Sequence, residues 1–156
     1  MNIREKICVL LFEKSKLPYA RIFKRQKTPW NLSVENLLLM NQQTLGHSLG
    51  QFLSRNHFSL IPRLERHDAY HVLTGYGTEV KDEIALQFLC FGNGKRSKYL
   101  WMVMTVGTLL NPEYWSYFKQ SYVRGKRARQ FYHWDFKDYL QRDLASLQKW
   151  VFDGND

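Results

Sequence analysis

The stretch RHDAYHVLTGYGTEVKDEI, residues 66–84, gathers His67, Asp68 and His71 within five positions. It turns at Gly75-Tyr76-Gly77 and resumes with Glu79, Asp82 and Glu83. Imidazoles and carboxylates at this spacing are metal-ligand chemistry. On a helix, residues four apart lie one above the other on the same face. His67 and His71 therefore offer two imidazoles to one point. They continue the stripe begun by Leu60 and Leu64, which turns them towards the interior, and Asp68 borders the same face. If residues 75–77 reverse the chain, positions equidistant from Gly77 come level. His71 lies six residues before Gly77 and Glu83 six after it, each about 9 Å from the turn at about 1.5 Å rise per residue. The segment can thus bring two nitrogens and up to two carboxylates to one point. That donor set suits zinc, iron or manganese better than calcium, with magnesium also compatible. Capping and ordinary polar packing account for the same residues in another way, with Glu79 and Asp82 stabilised near a helix N-terminus. His47, His57 and His133 stand alone and read as structural or surface residues.

The elements that position these residues follow a helical period nearly throughout. NIREKICVLLFEKSK is amphipathic and stops at Pro18. After a loop over 27–33, Ser33 caps the next helix, and residues 44–58 form a short one whose Gly46 and Gly50 permit close packing. Pro62 suits the first helical position of the segment carrying the histidines, and Thr78 that of the N-cap of the segment carrying Glu83, which closes at Gly92-Asn93-Gly94. The apolar run 97–110 ends at Asn111-Pro112, an N-cap and N1 pair for the next helix, which Gly125 breaks. Phe136, Leu140, Leu144, Leu147 and Val151 then share one apolar face of a last helix. No run alternates at period two long enough for a strand. The expected fold is all-α: a single-domain helical bundle over 1–156, with the metal motif on a helical hairpin.

A 156-residue chain with 44% hydrophobic and 15% aromatic residues can bury a real core. Its two cysteines, Cys8 and Cys90, lie far apart in apolar contexts, which predicts buried thiols in a reducing compartment and no zinc clip. The longest apolar run, residues 99–110, falls short of the roughly 20 residues a spanning helix needs. Of the net charge of +9, most sits in residues 1–30, with eight Lys or Arg against two Glu, and RGKRAR at 124–129 adds a second cluster. Such patches suit an anionic membrane surface, or simply a solvated face. Without a docking motif, nucleic acid is not an expected partner.

His67-Asp68-x-x-His71, eleven residues, then Glu83 resembles the signature of the coenzyme Q biosynthesis protein 4 family, and TLGHSLGQFLSRNHF resembles the stretch that family carries upstream. The resemblance spans roughly 44–110. It implies an all-helical protein of ubiquinone formation that binds a divalent metal through His67, Asp68, His71 and Glu83. Zinc is the first expectation for the ion, with magnesium, iron or manganese as alternatives. It further implies an apolar groove for prenyl lipid, whose walls would come from 85–91 and 97–110: Leu86, Leu89, Trp101, Val103 and Met104. Family members remove the ring carboxyl group oxidatively, organise other pathway enzymes, or both. The partners implied are a prenylated quinone precursor or other isoprenoid lipid, other quinone-pathway enzymes and an anionic membrane surface. With no mitochondrial leader in view, a bacterial-type member is expected, cytoplasmic and peripheral to the inner face of the cell membrane.

No residue is assigned a catalytic role. Glu79, one turn before Glu83, is the nearest spare carboxylate for proton transfer, though capping explains it better. Two other readings compete. One is a non-catalytic prenyl-lipid-binding scaffold whose motif holds the hairpin together. The other is a His-Asp metal phosphohydrolase, which would recruit His47 or His57 and Asp82.

Overall fold

The computed structural model describes residues 28–154 and, in the N-terminal segment, Ile3, Arg4, Lys6, Ile7, Leu10 and Lys14. Those six positions are helical. The rest of the expected N-terminal helix, its stop at Pro18 and Cys8 lie outside the described residues.

From residue 28 onwards the chain forms seven helices and, among the described residues, no strand. Helix α1 covers Val34–Leu38, α2 Leu45–Arg55, α3 Glu65–Thr74 and α4 Val80–Gly92. Helix α5 covers Lys98–Leu110, α6 Trp115–Arg127 and α7 Leu144–Phe152. Single 3-10 turns at Pro112–Tyr114 and Phe136–Tyr139 lead towards α6 and α7. One continuous core runs from Trp30 to Val151. The all-α expectation holds.

Local chemistry sets most helix starts. Ser33 and Asn36 form a reciprocal capping box at α1, and Thr44 accepts the His47 N–H at α2. Helix α4 is the centre of the bundle. Ile84 to Cys90 are all buried, so it has no polar stripe to betray an outer face. It packs along α6, where Phe88 stacks on Phe118 at 5.3 Å between ring centroids. The two backbones approach so closely that a Cβ on Gly125 would run into the Leu89 carbonyl, and one on Gly92 into the Tyr122 carbonyl.

That contact corrects one expectation. Gly125 does not break α6, which continues to Arg127. The cost of a helical glycine, about 1 kcal/mol against alanine, is offset by the packing it permits. The last apolar face is also not one helix. Phe136 and Leu140 are buried, but they lie in and just after a 3-10 turn, and α7 starts at Leu144. The break arises because Asp143 and Thr44 form an isolated β-bridge, with Leu45 N–H donating to Arg142 O at 2.9 Å and Leu144 N–H to Gln43 O at 2.9 Å. The Asp143 carboxylate then caps α7 by accepting the Ser146 N–H at 2.7 Å.

Two further caps differ. Pro62 is not at the first turn of α3. Residues 62–64 form a turn with Arg63 at φ 73, a backbone that an L-residue seldom takes, and the helix begins at Glu65. At α4 the cap position belongs to Glu79, in extended backbone and without a side-chain cap bond. The Thr78 hydroxyl turns away towards Asn56 Oδ1, 3.5 Å off. At Asn111-Pro112 the proline does occupy the first turn of a 3-10 helix, while the Asn111 amide donates back to Gly107 O at 3.0 Å.

Candidate metal centre

Helices α3 and α4 form the hairpin expected from the sequence. Gly75 ends α3 in the left-handed conformation, φ 75, and its N–H donates to His71 O at 2.8 Å. The reversal brings His67 and His71 of α3 opposite Glu83 of α4. His67 Nε2 lies 3.1 Å from Glu83 Oε2, His71 Nε2 lies 3.3 Å from Glu83 Oε1, and the two Nε2 atoms are 3.2 Å apart. Donor atoms sharing one ion at about 2.1 Å stand about 3.0–3.4 Å from each other for right-angled or tetrahedral coordination. The three residues fit a small divalent cation, and they are the metal-competent cluster found among the described residues.

Each of the three side chains is held differently. The side chain of His71 is 2% exposed. Its ring stacks on Phe52 of α2 at 5.5 Å, and Nδ1 lies 3.2 Å from the Tyr76 carbonyl oxygen. A carbonyl can only accept, so Nδ1 carries the proton and Nε2 is left aimed at the cluster. His67 crosses it edge-on at 4.8 Å. The side chains of His67 and Glu83 are 33% and 22% exposed, so the site opens to solvent on their side. Three protein ligands with one open edge leave room for an exchangeable water or substrate oxygen.

Without an ion the cluster is an ionic network. Burial alone would raise the Glu83 pKa, but the charge and hydrogen bond of His67, together with those of His71, hold its carboxyl well below the ordinary carboxylate range. Burial would lower the His71 pKa, yet the hydrogen bond and charge of Glu83 outweigh it and raise it above 6.5.

The other expected site residues fall outside the cluster. Asp68 is not among the three converging residues, although its charge reaches His71. Glu79 is 71% exposed and pairs with Lys81 at 2.8 Å. Asp82 accepts a 2.8 Å hydrogen bond from the Tyr117 hydroxyl of α6. His47 is engaged by Leu38 O and Gln51, and His57 and His133 are exposed. No second metal position is built from His47, His57 and Asp82, and the phosphohydrolase reading loses its ligands. Cys90 is buried, and burial pushes its thiol pKa up, which makes it an inert core residue.

Of the five residues expected to line a lipid groove, Leu86 and Leu89 are fully buried and Val103 and Met104 nearly so. They are core residues in this conformation. Trp101 is exposed, as are Met102 and Leu109 on the same helix. Phe52 and the Tyr76 carbonyl are site residues that spacing did not single out. Phe52 looks like any core aromatic, whereas an aromatic between two turn glycines was a usable signal for Tyr76.

Residues 60–151 match the family model described as Coenzyme Q (ubiquinone) biosynthesis protein Coq4. No curated protein matches the chain. A solved structure of a candidate ubiquinone biosynthesis protein from Nostoc punctiforme is similar in fold, with a TM-score of 0.67 and 16% identity, over 97% of this chain and 82% of that one. The family match takes in His67, Asp68, His71 and Glu83 and more than half of the sequence, and the chain belongs to the coenzyme Q (ubiquinone) biosynthesis protein Coq4 family.

Proposed function

We propose that this protein serves ubiquinone biosynthesis by holding a divalent metal, zinc first among the candidates, on His67, His71 and Glu83, and by using it on the ring carboxyl group of a prenylated aromatic acid. The observation that carries the reading is the convergence of two Nε2 atoms and one carboxylate within 3.3 Å of each other beside an open edge. The chemistry a bound ion supplies there is Lewis-acid stabilisation of the charge that develops as the carboxyl group leaves as carbon dioxide. An oxygen-donating oxidant is required where a hydroxyl replaces it.

The protein's own groups do the rest. His71, pinned by Tyr76 and Phe52, keeps its Nε2 in place while Phe52 excludes water from one ring face. His67 and Glu83 border the edge by which a carboxylate enters. Asp68, beside His67, is proposed as an outer ligand or orienting group. The prenyl tail is proposed to run along α5, with Trp101 outermost and Leu86, Leu89, Val103 and Met104 beneath, which requires α4 and α5 to part slightly.

Peripheral attachment to an anionic membrane belongs to the same reading. No described helix is long and apolar enough to cross a membrane. Trp101, Met102, Leu109 and Trp115 are exposed, and Arg96 and Lys119 lie over Phe91 and Trp115 beside them.

A non-catalytic scaffold remains the second reading, favoured by one observation: the ligands come from both arms of the hairpin, so an ion could staple α3 to α4. Zinc- or manganese-loaded protein given a prenylated hydroxybenzoate, with and without dioxygen as oxidant, decides between them. Carbon dioxide release that is lost in Glu83→Ala supports catalysis. Tight binding of the acid without turnover leaves the scaffold.

A further inference from the structure

Helix α6 reaches both arms of the metal hairpin without contributing a ligand. The Tyr76 side chain, buried between Gly75 and Gly77, donates its hydroxyl to Ser121 Oγ at 2.8 Å, and Ser121 donates onward to the Tyr117 carbonyl at 2.9 Å. Four residues before Ser121, the Tyr117 hydroxyl donates to Asp82 Oδ1 at 2.8 Å. The other Asp82 oxygen lies against the turn itself, where a Cβ added to Gly77 would meet it at 2.7 Å. Asp82 is followed directly by Glu83, and the backbone carbonyl of Tyr76 holds the proton of His71 Nδ1.

We propose that Tyr76, Ser121, Tyr117 and Asp82 are positioning residues of the metal centre, a hydrogen-bonded brace from α6 that fixes the turn behind His71 and the helix start before Glu83. The proposal rests on the metal reading above. Its physical basis is that a ligand histidine is only as well aimed as the group that holds its other nitrogen. A carbonyl in a loop with a glycine on either side would wander without an anchor. Tyr76 supplies that anchor through its own ring, which packs on Tyr117 at 6.1 Å and lies beneath the Arg124 guanidinium at 5.3 Å. The Tyr117 phenol suits a permanent donor. Burial, and then its bond to Asp82, push its pKa far above the ordinary tyrosine value, so it keeps its proton at any working pH.

The test is zinc affinity, measured by competition with a chromophoric chelator, with the visible spectrum of the cobalt-substituted protein as a record of ligand geometry. Tyr76→Phe, Ser121→Ala and Tyr117→Phe should each weaken zinc binding about tenfold or more and alter the cobalt spectrum. Tyr76→Phe and Ser121→Ala both remove the Tyr76–Ser121 bond, and Ser121→Ala also removes the bond to the Tyr117 carbonyl, so the double variant should bind about as weakly as Ser121→Ala alone. Leu100→Ala, which opens a void at the start of α5, a helix that carries no brace residue, should lower Tm and leave zinc affinity unchanged. The brace is overturned, with the metal site intact, if all three variants bind zinc like the parent while His71→Ala does not bind. It is overturned equally if affinity merely follows Tm across the set, Leu100→Ala included. A parent protein that binds no zinc removes the metal reading and the brace together.

Discussion

His71 and Glu83, from opposite arms of one hairpin, place Nε2 and Oε1 3.3 Å apart, with the imidazole almost wholly out of solvent. The pair makes the metal-free protein depend on pH in two directions. The raised pKa of His71 gives stability that is complete below 6.5 and is lost as pH rises through its folded-state value. The depressed pKa of Glu83 gives stability that is complete above 4.5 and is lost as pH falls towards its folded-state value. Chelator-treated protein should therefore be most stable between about pH 4.5 and 6.5. Zinc competes with the His71 proton, so the loaded protein should instead gain stability above pH 6.5. Tm against pH, with and without zinc, checks both slopes. Glu83→Gln should flatten the metal-free curve, and a curve unchanged by that substitution refutes the coupling.

His67→Ala and His71→Ala should both reduce zinc affinity by about a hundredfold or more, since each removes one of three ligands. Their effects on stability should differ. His71 fills a buried position against Phe52, and its loss should cost about 2 kcal/mol. His67 is one-third exposed and should cost less than about 1 kcal/mol. Metal analysis together with denaturant unfolding of the metal-free proteins separates the two quantities.

The hairpin was legible because two local rules suffice for it. Helical periodicity put His67 above His71, and symmetry about Gly77 put Glu83 opposite, and neither rule needs a distant partner. Asp68 shows their limit, since an adjacent residue on a helix points about 100° away. What stayed hidden depends on long-range contact. The first half of the expected last helix is broken by Thr44, which lies far away in sequence but pairs with Asp143. Gly125 looks like a helix breaker until Leu89 is placed against it. Leu86, Leu89, Val103 and Met104 are apolar whether they line a groove or fill a core, and sequence offers nothing to separate the two.

Gly125→Ala should accordingly be one of the more damaging single changes outside the site. Alanine favours helix by about 1 kcal/mol over glycine, but its methyl would overlap the Leu89 carbonyl, which is backbone and cannot turn aside. Overpacking of this kind costs about 1–3 kcal/mol, and the overlap with backbone puts it at the upper end. A net loss of up to about 2 kcal/mol is therefore expected, read by urea unfolding. A stabilised variant would show that α4 and α6 can separate freely.

The outward faces of α5 and α6 make the last prediction. Phe91 meets Trp101 at 4.8 Å and Phe88 meets Trp115 at 6.0 Å, so the two exposed indoles rest on aromatic residues three positions apart on α4. Arg96 lies 4.1 Å over Phe91, and Lys119 lies 5.9 Å over Trp115. Indoles that are half-buried, with cations stacked beside them, suit the boundary between headgroups and acyl chains. Vesicles containing anionic lipid should bind the protein, and neutral vesicles should bind it less. Trp101→Ala and Trp115→Ala should each weaken partitioning about tenfold, from the apolar area withheld from lipid. Raising salt should weaken binding further, because the cations act over a Debye length of about 10 Å at 0.1 M. Flotation that persists unchanged in the double tryptophan variant but fails at high salt would assign attachment to charge alone, acting through the basic segments at the N-terminus and at 124–129.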